Sequence, residues 1–109
     1  MQIQINPGPG MQQSDALDEH VSARLERIDR RFGERLTRIE VHMTDVNGPK
    51  GGENKRVKLE ARPRGLDPVL AEATEESAYD AVNSAVDKLE SVLASLFGKQ
   101  DAKQRSTMS

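Results

Sequence analysis

The chain has 109 residues, 35% hydrophobic, 31% charged and 3% aromatic, with a formal net charge of −2 and no cysteine. That is one domain's worth of chain with a modest core, and it excludes a disulfide framework, a thiol nucleophile and a cysteine-ligated metal. Phe32, Tyr79 and Phe97 are too few aromatics for a platform that stacks single-stranded bases.

Met1 to Asn6 alternates, with Ile3 and Ile5 on one side and Gln2 and Gln4 on the other, as a half-buried strand does. Pro7-Gly8-Pro9-Gly10 ends it, because two prolines remove donors and two glycines loosen the backbone. Ser14 or Asp15 suits the N-cap of a first helix, whose apolar residues Leu17, Val21, Leu25, Ile28 and Phe32 recur at intervals of three and four. Gly33 is its expected end. On that helix His20, Arg24, Arg27 and Arg31 fall on one flank of the apolar face, with Asp18, Ser22 and Asp29 on the other. Arg30, Arg35 and Arg38 complete a run of six arginines between Arg24 and Arg38.

Thr37 to Val46 alternates again, with Ile39, Val41 and Met43 facing one way. Asn47 to Asn54 is turn chemistry throughout and predicts a hairpin loop. The next strand sets Val57, Leu59 and Ala61 inward against Arg56, Lys58, Glu60 and Arg62 outward. Pro63 to Pro68 predicts a turn, and Val69 to Ala73 a short fourth strand. Thr74 is the expected cap of a second helix, with Glu75 and Glu76 in its first turn. Its apolar face comprises Ala78, Val82, Ala85, Leu89, Val92, Leu93 and Leu96, Gly98 is its expected stop, and Lys99 to Ser109 is expected to be a polar, disordered tail. The order strand, helix, three strands, helix predicts an α+β fold. An antiparallel four-stranded sheet, polar on one side, would carry both helices packed on the other face as a two-layer sandwich.

The net charge averages over a strong segregation. Residues 20–64 carry twelve Lys or Arg against seven Asp or Glu, whereas residues 65–98 carry seven acids and only Lys88. A basic face is therefore compatible with an acidic total. Arginine's planar fork suits phosphate oxygens, so the flank of His20, Arg24, Arg27 and Arg31 is a candidate phosphate-contacting surface. The alternative for such a run is a solvated face with intrahelical pairs such as Glu26 with Arg30. Arg56, Lys58 and Arg62 would form a second basic patch on the sheet, next to a loop region carrying Lys50 and Lys55.

Catalysis finds little footing. His20 and His42 sit on different elements, which argues against a metal site, and no carboxylate sits in an apolar setting that would raise its pKa for acid–base work. Lys50-Gly51-Gly52 lacks the spacing of a phosphate-binding loop, and no serine has a nucleophile-elbow context. No cofactor and no small-molecule substrate is expected. No stretch approaches the ~18 apolar residues of a membrane span, and the first residues lack a charged start followed by an apolar run, so a cytoplasmic protein without membrane contact is expected.

Ala78-Tyr79-Asp80-Ala81-Val82-Asn83-Ser84-Ala85-Val86-Asp87-Lys88-Leu89-Glu90 resembles the closing helix of the ribosome hibernation-promoting factor and ribosome-associated inhibitor (sigma-54 modulation protein) family, in its short form. The Met1-Gln2-Ile3-Gln4-Ile5 strand and the Arg24-Leu25-Glu26-Arg27-Ile28 segment are similar to the family as well, so the resemblance spans roughly residues 1–97. It implies a β-α-β-β-β-α fold like that of a double-stranded-RNA-binding domain over residues 1–98, with 99–109 as the tail. It also implies a non-enzymatic inhibitor that sits on the small ribosomal subunit, touches ribosomal RNA through basic side chains of both helices and blocks the channel for messenger and transfer RNA.

Carried over by position, Arg24, Arg27 and Arg31 match the basic side of the first helix, and Lys88 matches the lysine of Asp-Lys-Leu-Glu. The expected RNA-contacting set is thus Arg24, Arg27, Arg31, Lys88, His20, Arg35, Lys55 and Arg56, on a monomer. Two departures stand out. Ser91-Val92-Leu93-Ala94-Ser95-Leu96-Phe97 is uncharged where the family is typically basic, and the hairpin loop is longer and richer in glycine. Two alternatives remain open: a protein-interaction module in which acidic Glu76, Asp80, Asp87 and Glu90 face a basic partner or the arginines of another copy, and a general double-stranded RNA binder.

Overall fold

Six main elements follow one another in the computed structural model: β1 (Gln2–Pro7), α1 (Asp15–Phe32), β2 (Leu36–Asp45), β3 (Lys55–Pro63), β4 (Val69–Glu75) and α2 (Ala78–Met108). A single 3-10 turn, Gly33–Arg35, joins α1 to β2. The structure describes residues 1–8, 11, 14–46 and 54–108, with side chains described as far as Arg105. The predicted hairpin loop, apart from Asn54, lies outside the described residues, as do Pro9 and Gly10 of the first break.

The strands lie in the order β1-β2-β3-β4. β2, β3 and β4 pair antiparallel, but β1 runs parallel to β2, with Ile3 opposite Ile39 and Ile5 opposite Val41. The sheet is therefore mixed, not antiparallel throughout as expected. The reason is the α1 crossover, which carries the chain back to the end of the sheet where β1 began. As an edge strand β1 tolerates Pro7 at its end, and Ile3 keeps 36% of its surface exposed. The amide of Gly8 then donates to the Met43 carbonyl, so close that a Cβ at Gly8 would stand 2.7 Å from that oxygen. Only glycine fits there.

One face of the sheet and one stripe of each helix form a continuous core. It gathers Leu17, Val21, Leu25, Ile28 and Phe32 of α1, Ile39, Val41 and Met43 of β2, Val57, Leu59 and Ala61 of β3, and Ala81, Val82, Ala85, Val86, Leu89, Leu93 and Phe97 of α2. All five predicted apolar positions of α1 are buried. On α2 the stripe sits slightly off the predicted phase: Val92 is 38% exposed, while Val86 and Phe97 are buried. α2 lies across β3 and β4 and beside α1. The Phe32 and Phe97 rings, 5.4 Å apart, close one end of the interhelix seam.

Of three helix boundaries, two differ from the sequence expectation. Ser14 caps α1 as foreseen, its hydroxyl accepting from the Leu17 amide at 3.1 Å. The cap of α2, however, is Ser77, whose hydroxyl accepts from the Asp80 amide, because Thr74 is still paired with Arg56 in β4. A serine three residues later offers the same oxygen to the same kind of orphan amide, so the ladder keeps Thr74. Finally, α2 does not stop at Gly98 but continues to Met108, and the expected disordered tail is helical over 99–108. Glycine lowers helix propensity without breaking a helix, and Arg35 holds the passing segment through Gln100 and Asp101. Its 31 residues make α2 about 46 Å long.

Candidate nucleic-acid interface

The face that α1 turns toward α2 is fixed by its own periodicity. Burying Leu17, Val21, Leu25, Ile28 and Phe32 leaves His20, Arg24, Arg27 and Arg31 on the flank nearest the second helix. On α2, burial of Val82, Ala85, Val86, Leu89 and Leu93 presents Asn83, Asp87 and Glu90 to the same seam. The two rows meet at a constant offset. His20 Nε2 lies 2.8 Å from Asn83 Oδ1, Arg24 Nη2 donates to Asp87 Oδ1 at 2.9 Å, and Arg27 Nη2 donates to Glu90 Oε1 at 2.5 Å, each across 63 residues. An offset that stays constant along both helices means that they run parallel.

The ladder is shared rather than strictly pairwise. Arg27 also reaches Asp87 at 3.5 Å, and Arg31 Nη1 reaches Glu90 Oε2 at 3.4 Å. Beyond it, Arg35 in the 3-10 turn donates to both Asp101 carboxylate oxygens and to Gln100, and its guanidinium lies 4.0 Å over the Phe97 ring. The backbone there is anchored, since the Arg64 amide donates to the Arg35 carbonyl and Arg64 Nε to that of Glu34. At the other end His20 packs edge-on against Tyr79. Asp87, Arg27 and Arg31 are each more than half exposed, whereas Glu90 keeps only 14% of its side chain in solvent. Arg24 is more enclosed, and its Nε is buried with no hydrogen-bond partner.

Of the eight expected residues, the structure brings together five: His20, Arg24, Arg27, Arg31 and Arg35. It separates the other three. Lys88 lies on the opposite flank of α2, where its Nζ donates to the Glu72 carbonyl of β4 at 3.1 Å. Its neighbour Ser84 likewise points to β4, donating to Glu75, so this flank of α2 does not extend the arginine row. Lys55 pairs with Asp45 across the base of the β2–β3 hairpin at 2.8 Å. Arg56 stands exposed on the open side of the sheet, flanked in register by Thr44 and Thr74.

Sequence reasoning missed the partners of the row. The acids Asp87 and Glu90, which the protein-interaction alternative turned toward a basic partner or another copy, pair with the arginines of their own chain. The signal was present in matching spacings: Arg24 to Arg27 and Asp87 to Glu90 are both three apart. The expected Glu26–Arg30 pair on the outer face of α1 does form, loosely, at 3.9 Å.

The open side of the sheet holds a second charged group. Glu40 accepts from Arg38 Nε at 3.2 Å and from Arg62 Nε at 3.1 Å, Arg62 also reaches Glu60, and His42 Nε2 lies 3.9 Å from Glu40. Partial burial pushes the Glu40 carboxyl up, but the Arg62 hydrogen bond and the charges of Arg38 and Arg62 outweigh it and hold the pKa below its ordinary value. Ligand atoms of Glu40, His42 and Glu60 lie within 4.8 Å of one another. Two guanidinium groups already occupy the Glu40 carboxylate, so this arrangement fits an ion-pair network better than a cation site. Alongside it a shallow cavity of about 350 Å³ is lined by His42, Thr44, Arg56, Lys58, Glu60, Leu70 and Glu72.

A β-α-β-β-β-α domain whose two parallel helices present a charged seam, with a polar sheet face opposite, defines the α+β class of this chain. The chain belongs to the family described as sigma 54 modulation protein / S30EA ribosomal protein, whose model matches residues 4–101. Its fold is similar to that of a ribosomal subunit interface protein from Coxiella burnetii, with a TM-score of 0.76 and 24% identity over 90% of this chain and 99% of that one. It is also similar to the N-terminal domain of Protein Y from Thermus thermophilus, with a TM-score of 0.71 and 24% identity over 88% of this chain and 99% of that one. No curated protein sequence matches this chain. No helix among the described residues is long and apolar enough to cross a membrane.

Proposed function

We propose that this protein is a non-enzymatic, cytoplasmic translation inhibitor of the hibernation type. It binds ribosomal RNA of the small subunit as a monomer and obstructs by its volume the channel that messenger and transfer RNA would occupy. The observation that carries this reading is the family match over residues 4–101 on a chain whose arginines form one row. Arg24, Arg27, Arg31 and Arg35 stand along the interhelix seam, with Arg27 and Arg31 more than half exposed. A row of guanidinium forks suits the sequence-independent contacts that phosphate backbones require, and no chemistry on the substrate is needed for a plug. One of the two structures described above, that from Coxiella burnetii, is named as a ribosomal subunit interface protein.

The reading in which acidic α2 recruits a basic protein loses two of its four acids, Asp87 and Glu90, to contacts within the chain. A second placement of the RNA contact has one observation in its favour: among the described residues, Arg56 and Lys58 on the sheet make no ion pair. Sedimentation with isolated small subunits at low and high salt tests the proposal. The wild-type chain is expected to pellet with subunits at low salt and to be released as salt rises. Arg24→Gln/Arg27→Gln/Arg31→Gln is expected to stay soluble and folded but to remain in the supernatant. Failure of the wild type to pellet at low salt refutes ribosome binding. Unchanged pelleting of the triple variant moves the contact to the sheet.

A further inference from the structure

Three guanidinium groups, Arg24, Arg27 and Arg31, share two carboxylates along the seam, with Asp87 between the first pair and Glu90 between the second. A carboxylate offers a fork the same two-oxygen edge that a phosphate does. From this we infer that Asp87 and Glu90 set the affinity and selectivity of the RNA interface, acting as built-in competitors for the arginine row. The inference rests on the RNA-binding reading above.

Three features of the seam support it. The arginines are within reach: Arg27 and Arg31 are 55% and 54% exposed and Asp87 is 63% exposed, so a ligand meets them without opening the core, while Glu90, at 14%, is the more firmly held competitor. The competition at Asp87 is mild, because an exposed ion pair holds its partners by no more than a factor of about five. Two carboxylates thus attenuate binding without abolishing it. Lastly, the row is one cation in excess. A lone phosphate gains one fork at a time against a carboxylate already in place. A nucleic-acid backbone presents several phosphates on one scaffold, so after the first exchange the others act at high local concentration. The seam therefore favours duplex or folded RNA over isolated phosphates and mononucleotides.

Binding of short duplex RNA, of isolated small subunits and of adenosine monophosphate, measured at low and moderate salt, tests the inference on five proteins. Asp87→Asn/Glu90→Gln is expected to bind duplex RNA about tenfold more tightly than the wild type, in keeping with the modest strength of exposed pairs. Its affinity is expected to fall more steeply with salt, by up to about 0.9 in the log–log slope for each freed cation. Adenosine monophosphate is expected to gain much less. Asp67→Asn/Glu76→Gln removes the same charge away from the row and is expected to stay within about twofold of the wild type. Asp87→Asn alone, at a well-exposed position, is expected to show a smaller gain of the same sign, so the test survives if the double variant folds poorly.

Wild-type or weaker binding by a folded Asp87→Asn/Glu90→Gln, with Arg24→Gln/Arg27→Gln/Arg31→Gln inert, overturns the inference and leaves the reading standing. An equal gain in Asp67→Asn/Glu76→Gln overturns it too, as an effect of total charge. Full binding by the arginine variant overturns the placement of RNA on the helices, and the inference with it.

Discussion

Glu90 Oε1 lies 2.5 Å from Arg27 Nη2, a contact between two helices across 63 residues of chain. Glu90 is the less exposed partner at 14%, against 55% for Arg27. The pair therefore sits at the boundary between a solvated surface bridge and a seam contact. A double-mutant cycle on Arg27→Gln and Glu90→Gln, read by urea denaturation, is expected to give a coupling of ~0.3–1 kcal/mol that shrinks with added salt. Zero coupling at low salt would mean that the fork is free in solution.

Acid should act on the sheet through Glu40. Its carboxyl is pushed up by burial and pulled further down by Arg62 and Arg38, so its folded pKa lies below the ordinary 4.5. A depressed carboxyl pKa contributes stability that is fully present above the unfolded pKa and is lost as pH falls through the folded one. Wild type and Glu40→Gln are thus expected to differ in denaturation midpoint at neutral pH by an amount that does not change until about pH 5. The difference should shrink progressively below it. A difference that grows on acidification would contradict the Arg38–Glu40–Arg62 geometry.

Lys88 and Arg31 separate the two flanks of the helix layer. Lys88 lies toward β4 with its amine on the Glu72 carbonyl, whereas Arg31 faces the seam. Lys88→Gln is expected to weaken binding to small subunits less than Arg31→Gln, and to change the salt slope by less than the ~0.9 associated with a phosphate contact. Equal losses from the two variants would show that the bound RNA wraps around α2.

Gly98 lies inside α2, and a Cβ built there meets nothing within 4 Å. Glycine in a helix interior costs about 0.5–1 kcal/mol relative to alanine. Gly98→Ala is expected to raise stability by up to that amount and to increase helical circular dichroism. No gain in either would place the true end of the helix at Gly98.

Much of this fold was legible along the chain. Leu17 through Phe32 kept helical spacing, Ile39 to Met43 and Val57 to Ala61 kept strand alternation, and each set is buried as read. Periodicity reports which side of an element is apolar, and a single core makes that side the inside. Boundaries were less legible. Thr74 and Ser77 are both competent caps, and strand pairing with Arg56 decided between them. Gly98 was misread because a glycine weakens a helix whether or not the helix ends there. The parallel pairing of β1 was missed because a strand's direction is not written in its alternation.

The candidate site divides in the same way. The sequence by itself determined that His20, Arg24, Arg27 and Arg31 share one flank of α1, since helix phase is local. Only the tertiary structure decided what that flank meets. It set α2 parallel to α1 at an offset of 63 residues, which brought Asp87 and Glu90 onto the arginines and turned Lys88 away from them. The physical reason is that a side chain's face follows from the 3.6-residue turn of its own helix, whereas its partner depends on how two helices settle on one sheet. That placement comes from the whole core at once.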